Sequence, residues 1–183
     1  MPVARSTPQE TLSALIADVP DFPRPGVVFK DITPLLADPD GFRMAVDGLV
    51  ELAPPNIDIV VGMEARGFIM GAPVAHALGV GFVPVRKPGK LPRPTLSATF
   101  ALEYGTDELL MHADALGRGM RVLIVDDVLA TGGTVAATAE LVRSLDADLA
   151  GVAVLLELGF LGARARLLEA GLDRIDALLT VES

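Results

Sequence analysis

The chain has 183 residues, 51% of them apolar, no cysteine, two histidines and a net charge of −9. This suits a single well-buried domain over residues 1–183, and it excludes disulfides, thiol nucleophiles and zinc-thiolate sites, with His76 and His112 too far apart in sequence to form a ligand cluster. The acidic balance argues against nucleic acid as a partner. No apolar run reaches the roughly 18 residues of a membrane span, and the opening Met1-Pro2-Val3-Ala4-Arg5-Ser6 lacks a secretory segment, so a cytoplasmic location is expected.

Thr7-Pro8-Gln9-Glu10 reads as a capping box with proline at the first helical position. The helix it opens places Leu12, Leu15, Ile16 and Val19 on one face and is predicted to end at Pro20. A proline-rich turn over Asp21 to Pro25 leads into a short extended segment, Gly26 to Ile32. Phe42, Met44, Val46, Leu49, Val50 and Leu52 predict a second helix before the Pro54-Pro55 break, and Ile57 to Val61 reads as a buried parallel strand. After it, Gly62-Met63-Glu64-Ala65-Arg66-Gly67-Phe68 forms a glycine-bearing loop ahead of a helix to Leu78. Such a loop presents backbone donors and a guanidinium to an anion.

Val80 to Val85 predicts the next strand and runs into Arg86-Lys87-Pro88-Gly89-Lys90-Leu91-Pro92-Arg93, four cations in a stiffened loop. In an acidic protein that pattern fits capture of a small anion, and equally a solvated charged loop. Thr95 to Leu102 alternates with period two, turns through Glu103-Tyr104-Gly105-Thr106-Asp107 and returns through Glu108 to Met111, an antiparallel hairpin. Beyond the segment described next, Gly151 to Glu157 predicts a strand, Leu161 to Ala170 a helix, and Ile175 to Val181 a last strand.

The most informative stretch is Val122-Leu123-Ile124-Val125-Asp126-Asp127-Val128-Leu129-Ala130-Thr131-Gly132-Gly133-Thr134. Four apolar residues without alternation fit a strand covered on both faces, and such sheets bind ligands beyond their carboxyl ends. There we expect two carboxylates, then a Gly-Gly turn flanked by hydroxyls, then a helix from Val135 to Leu145. Glycines let N–H groups approach an anion, and the helix start adds unpaired donors. The loop lacks the Gly-Lys-Ser/Thr ending of a triphosphate loop and the Gly-x-Gly-x-x-Gly of a dinucleotide loop. Adjacent acids suit vicinal hydroxyls, so the run points to a ribose 5-phosphate. A purely structural acid pair and turn is the competing reading.

This run resembles the phosphoribosyl diphosphate motif of the type I phosphoribosyltransferases, and its Leu-Ala-Thr-Gly-Gly-Thr form is most similar to the adenine phosphoribosyltransferases. Phe22 to Ile32 resembles their hood segment, Glu64-Ala65-Arg66-Gly67-Phe68 their pyrophosphate loop, and Arg86 to Pro92 with Leu102-Glu103-Tyr104-Gly105 their lid. The resemblance implies an α/β fold: a parallel twisted sheet flanked by helices, with a small N-terminal hood (about 1–35) and an antiparallel lid hairpin (about 86–112). It implies purine salvage, in which adenine and phosphoribosyl diphosphate give AMP and pyrophosphate with Mg²⁺, by a homodimer.

By the same resemblance, Ala130, Thr131, Gly132, Gly133 and Thr134 bind the 5-phosphate, and Asp126 and Asp127 the ribose. Glu64, Ala65, Arg66, Gly67, Arg86, Lys87 and Lys90 bind pyrophosphate. Val28, Phe29, Lys30 and Leu129 serve the base, and Glu103 is the catalytic carboxylate. From pattern alone, Glu103 reads as a solvated hairpin residue and Leu129 as core. Mg²⁺ is expected on ligand oxygens and waters, with no direct protein ligand. Lys30 and Ala65 stand where many relatives have arginine and serine or threonine, and the family's non-proline cis peptide falls at Glu64 to Ala65. Transfer to another purine base, or a regulator that binds phosphoribosyl diphosphate without catalysis, are the alternatives. The hood composition and the retained Glu103 argue against them.

Overall fold

A computed structural model describes residues 7–101 and 106–182. The chain divides into two compact units, Met1–Gly48 and Leu49–Ser183.

In the first unit, helix α1 (Pro8–Ala14) starts with the predicted capping box. Thr7 Oγ1 accepts from the Glu10 N–H at 3.2 Å, and Glu10 Oε2 accepts from the Thr7 N–H at 2.7 Å. The helix is shorter than its apolar spacing predicts. From Ala17 the chain forms β1 (Ala17–Pro20), antiparallel to β2 (Val28–Asp31), with Val19 opposite Phe29. Two local preferences override the helical pattern: Pro20 biases Val19 toward extended backbone, and a β-branched residue sits well in a ladder. The turn between the strands is held by Asp21, whose Oδ1 accepts from the Gly26 N–H at 2.7 Å. A short helix absent from the sequence reading, α2 (Thr33–Ala37), follows, with its Thr33 N–H and hydroxyl both donating to the Asp31 carboxylate. Helix α3 (Pro39–Leu52) begins where Asp38 Oδ1 accepts from the Gly41 N–H, and Ala45, Val46 and Leu49 are its buried positions.

The second unit is built on β3 (Ile59–Met63), β4 (Gly81–Val85), β7 (Arg121–Leu129), β8 (Asp148–Leu158) and β9 (Ile175–Val181). They form one parallel sheet in the order β4-β3-β7-β8-β9. Helices α4 (Arg66–Leu78), α5 (Gly133–Ser144) and α6 (Ala163–Glu169) connect successive strands, as right-handed crossovers demand of parallel neighbours. Val122, Leu123, Ile124 and Val125 of the central strand are fully buried, the burial expected of an apolar run without alternation. The antiparallel pair β5 (Thr95–Ala101) and β6 (Thr106–His112) is the predicted hairpin. Ala98, Leu109 and Met111 join the same core as the sheet, and Arg86 exchanges two backbone hydrogen bonds with Leu110. The stem of the hairpin is therefore packed and tied to the end of β4. Among the described residues no helix is long and apolar enough to cross a membrane.

One correction bears on the site. Asp126 and Asp127 do not follow the central strand; they lie inside it, because β7 continues to Leu129. β3 pairs with β7 only as far as Val125, whereas β8 runs alongside to Leu129. The acid pair thus occupies the stretch where β7 has lost one neighbour but keeps the other. The missing partner strand leaves room for the start of α4.

Candidate active site

Asp126 and Asp127 are 8% and 5% exposed, unusual for carboxylates without a dedicated partner on each. Asp126 Oδ1 accepts from the Asp127 N–H at 2.9 Å, and a Cβ at Gly67 would stand 2.7 Å from that same oxygen. Only glycine at the first turn of α4 allows the helix to come this close to the acid pair. Burial, and next the charge of Asp127, raise the Asp126 carboxyl well above the ordinary carboxylate range. Asp127 Oδ2 instead faces Arg66 Nε at 2.8 Å, an ion pair with the first residue of α4.

The turn before α4 carries the Glu64–Ala65 peptide in the cis form, as the family resemblance implies. Ala65 is the N-cap and brings no side-chain acceptor to the helix. Glu64 Oε2 takes Arg86 Nε at 2.8 Å, and the Arg86 guanidinium carbon lies 5.8 Å from the Phe68 ring centroid, within cation-π range. Lys87 Nζ meets Asp107 Oδ2 at 2.8 Å, and this bond to Lys87 lowers the Asp107 carboxyl. Arg66, Arg86 and Lys87, three of the predicted anion ligands, are each matched by a carboxylate of the chain itself; Lys90 is exposed.

The loop after β7 is made differently. Leu129 is buried in the core, Ala130 is half-buried and Thr131 exposed. Gly132 is the N-cap of α5 with φ 80°, a left-handed conformation that glycine adopts without a Cβ penalty. Gly133 is the first residue of α5, and Thr134 follows in the same turn. The unpaired N–H groups of that first turn, with the hydroxyl of Thr134, form the kind of cradle that takes a phosphate.

Within the first unit, Val28 is exposed, Phe29 packs edge-on against Phe22 with ring centroids 5.1 Å apart, and Lys30 Nζ bonds Asp18 Oδ1 at 2.7 Å. Glu103 lies outside the described residues, as do Leu102, Tyr104 and Gly105. Three contributors were not singled out from sequence: Asp107, Phe68 as a ring beneath Arg86, and the α6 side of the glycine turn. Phe68 and Asp107 lie next to motif residues, but their partners Arg86 and Lys87 belong to other segments and leave no local spacing to read.

This arrangement sits where doubly wound sheets bind ligands, and it defines the class: residues 42–170 match the phosphoribosyl transferase domain. A curated adenine phosphoribosyltransferase of Cutibacterium acnes is 57% identical over 94% of this chain and 98% of its own length. A crystal structure of adenine phosphoribosyltransferase from Thermoanaerobacter pseudethanolicus superposes with a TM-score of 0.91 at 48% identity, covering 94% of this chain and 99% of that one. Another, from Saccharomyces cerevisiae in complex with an iminoaltritol bisphosphate and adenine, gives 0.84 at 40% identity, covering 92% and 96%. The chain belongs to the adenine phosphoribosyltransferase family.

Proposed function

We propose that this chain transfers the 5-phosphoribosyl group of phosphoribosyl diphosphate to adenine, giving AMP and pyrophosphate in purine salvage. The observation that carries the reading is the convergence, at the end of β7, of a buried acid pair, a left-handed glycine turn opening a helix, and an arginine-bearing turn whose Arg66 reaches Asp127. Each suits one part of the sugar diphosphate: hydroxyls, 5-phosphate and pyrophosphate.

Ala130, Thr131, Gly132, Gly133 and Thr134 hold the 5-phosphate, and Asp126 and Asp127 the ribose hydroxyls. Cleavage at the anomeric carbon builds positive charge on the sugar, which the Asp127 side chain, the partner of Arg66, favours. Negative charge gathers on the leaving pyrophosphate. Arg66, Arg86, Lys87 and Lys90 meet it, with Glu64, Ala65 and Gly67 shaping their turn; one preorganised donor of this kind is worth about 3 kcal/mol. Since Asp127 and Glu64 already pair with Arg66 and Arg86, the ligand takes over the cations as it enters, and Asp127 is released toward the ribose. The acid pair also fits Mg²⁺: Asp127 Oδ2, buried and paired with Arg66 until the ligand takes that cation over, would accept a hydrogen bond from a water of the metal. The metal, when bound, neutralises pyrophosphate charge.

Val28 through its backbone, Phe29 by stacking, Lys30 and Leu129 serve the base, and Glu103 handles the proton at the purine imidazole edge. A backbone acceptor for the 6-amino group is left unpaired by a 6-oxopurine, which can cost roughly 10⁴-fold in selectivity. In this reading the hood spans about residues 1–35 and the lid about 86–112 of a single phosphoribosyltransferase domain, and the enzyme is a cytoplasmic homodimer. The test is product formation from phosphoribosyl diphosphate, Mg²⁺ and adenine, hypoxanthine, guanine, xanthine or orotate in turn. AMP from adenine alone is expected; turnover of a 6-oxopurine would remove the Val28 account, and no product with any base would remove the activity.

A further inference from the structure

The glycine turn is held from behind by α6, an element to which neither the family resemblance nor the mechanism above assigns a role. Arg166 Nη1 donates to the Thr131 carbonyl oxygen at 3.0 Å. A Cβ at Gly132 would meet Leu167 Cγ at 3.1 Å and Ala163 Cβ at 3.4 Å, so α6 forms the floor of the turn. The helix is itself anchored. Arg164 grips the buried Glu157 of β8 through Nε to both carboxylate oxygens, at 2.8 and 3.0 Å, and through Nη2 at 2.7 Å, while its Nη1 donates to the Ile175 carbonyl at 2.8 Å. Glu157 is paired in register with Leu129, the last residue of β7 before the turn. Strand, turn and helix therefore form a closed mechanical circuit.

We infer that Arg166 is a positioning residue for the sugar-phosphate turn, acting through the Thr131 carbonyl. In a trans peptide the carbonyl and the following N–H point to opposite sides of one plane. Holding the Thr131 oxygen toward α6 holds the Gly132 N–H away from it, on the side where the first N–H groups of α5 are unpaired. The cation also polarises that peptide, which makes its N–H a stronger donor. The Arg164–Glu157 clamp keeps α6, and with it Arg166, at the right distance. This rests on the assignment of the 5-phosphate to Ala130–Thr134.

The exposed Arg166 is replaced in the full-length chain as Arg166→Ala and Arg166→Lys, with Thr134→Val as a probe of the turn itself. Each is titrated with ribose 5-phosphate and with pyrophosphate, and KM is measured for phosphoribosyl diphosphate and adenine. Arg166→Ala weakens ribose 5-phosphate binding about tenfold, the scale of one charge-assisted hydrogen bond, and raises KM for phosphoribosyl diphosphate by a similar factor. Pyrophosphate affinity and KM for adenine stay as in the parent, and Arg166→Lys recovers most of the loss. Unchanged ribose 5-phosphate affinity in Arg166→Ala, whatever its melting temperature, overturns the proposal while a weakened Thr134→Val keeps the phosphate assignment. Normal binding in both variants removes the phosphate assignment as well. A loss in Arg166→Ala with Thr134→Val unaffected means a contact that bypasses the turn, and also overturns the proposal.

Discussion

The turns after β3 and after β7 occupy equivalent places in two adjacent strand-turn-helix units, yet the donors they offer an anion are of different kinds. After β7 the donors are backbone N–H groups, set by a left-handed Gly132 and braced by α6. Around the turn after β3 the donors are long side chains, Arg66 from the turn itself and Arg86 from just beyond β4, already matched by Asp127 and Glu64 respectively. Backbone dipoles cannot collapse onto an internal partner, so that site stands ready and needs no gatekeeper. Guanidinium groups can collapse, and the internal carboxylates both hold them in place and compete with the ligand. The first design fits the 5-phosphate, which stays on the sugar throughout the reaction; the second fits pyrophosphate, which must leave.

The side-chain site is the easier to break. Arg66→Ala removes a proposed pyrophosphate donor and strands Asp127 in a buried position, and kcat/KM for phosphoribosyl diphosphate should fall about 100-fold or more in steady-state assays. At the backbone site, Gly132→Ala forces a Cβ into left-handed backbone and toward Leu167. Denaturant unfolding should show a loss of about 1–2 kcal/mol.

The acid pair between the two turns is open to a pH test. Its inner carboxyl, Asp126, has its pKa raised by burial and by Asp127. Between the ordinary carboxylate range and that raised value, the folded chain keeps a proton the unfolded chain has released. Stability therefore falls as pH rises across this window and levels off above it. Asp126→Asn keeps the acceptor for the Asp127 N–H but removes the titration, so the decline should vanish from pH-dependent unfolding curves and the variant should be the more stable of the two at the high end. Its activity should drop nonetheless, because an amide replaces one of the two carboxyl groups proposed for the ribose hydroxyls.

The smallest effect sharpens the contrast most. Glu64→Gln takes away the competitor for Arg86, a partly buried pair, and should tighten pyrophosphate binding about threefold by calorimetry while leaving ribose 5-phosphate affinity alone. Weaker pyrophosphate binding would mean that Glu64 orients Arg86 rather than competes for it.

The sheet was legible because its central strands announce themselves: Val122 to Val125 has no polar alternation, and Ile175 to Val181 and the helix ending at Leu78 fall where spacing and glycine predict. Ends were less legible where tertiary pairing overrides local pattern. Ile16 and Val19 fit a helical face but lie beyond its end, with Val19 in the β1 ladder, and Asp126 and Asp127 read as the residues after a strand that in fact carries them to Leu129. The site's parts list came from motifs, including the cis Glu64–Ala65 peptide through family resemblance. Its wiring did not. Arg66 with Asp127, Lys87 with Asp107 and Arg166 with Thr131 each join distant segments, and a single sequence has no signal for which cation meets which oxygen.

The account holds that the two turns bind the two halves of one substrate, and a paired titration tests this most directly. Ribose 5-phosphate and pyrophosphate are titrated separately into the parent chain, Arg66→Ala and Gly132→Ala. The expected result is a double dissociation: Arg66→Ala loses pyrophosphate and keeps ribose 5-phosphate, and Gly132→Ala does the reverse. Loss of the same ligand in both variants would contradict the division of labour between the backbone turn and the charged one.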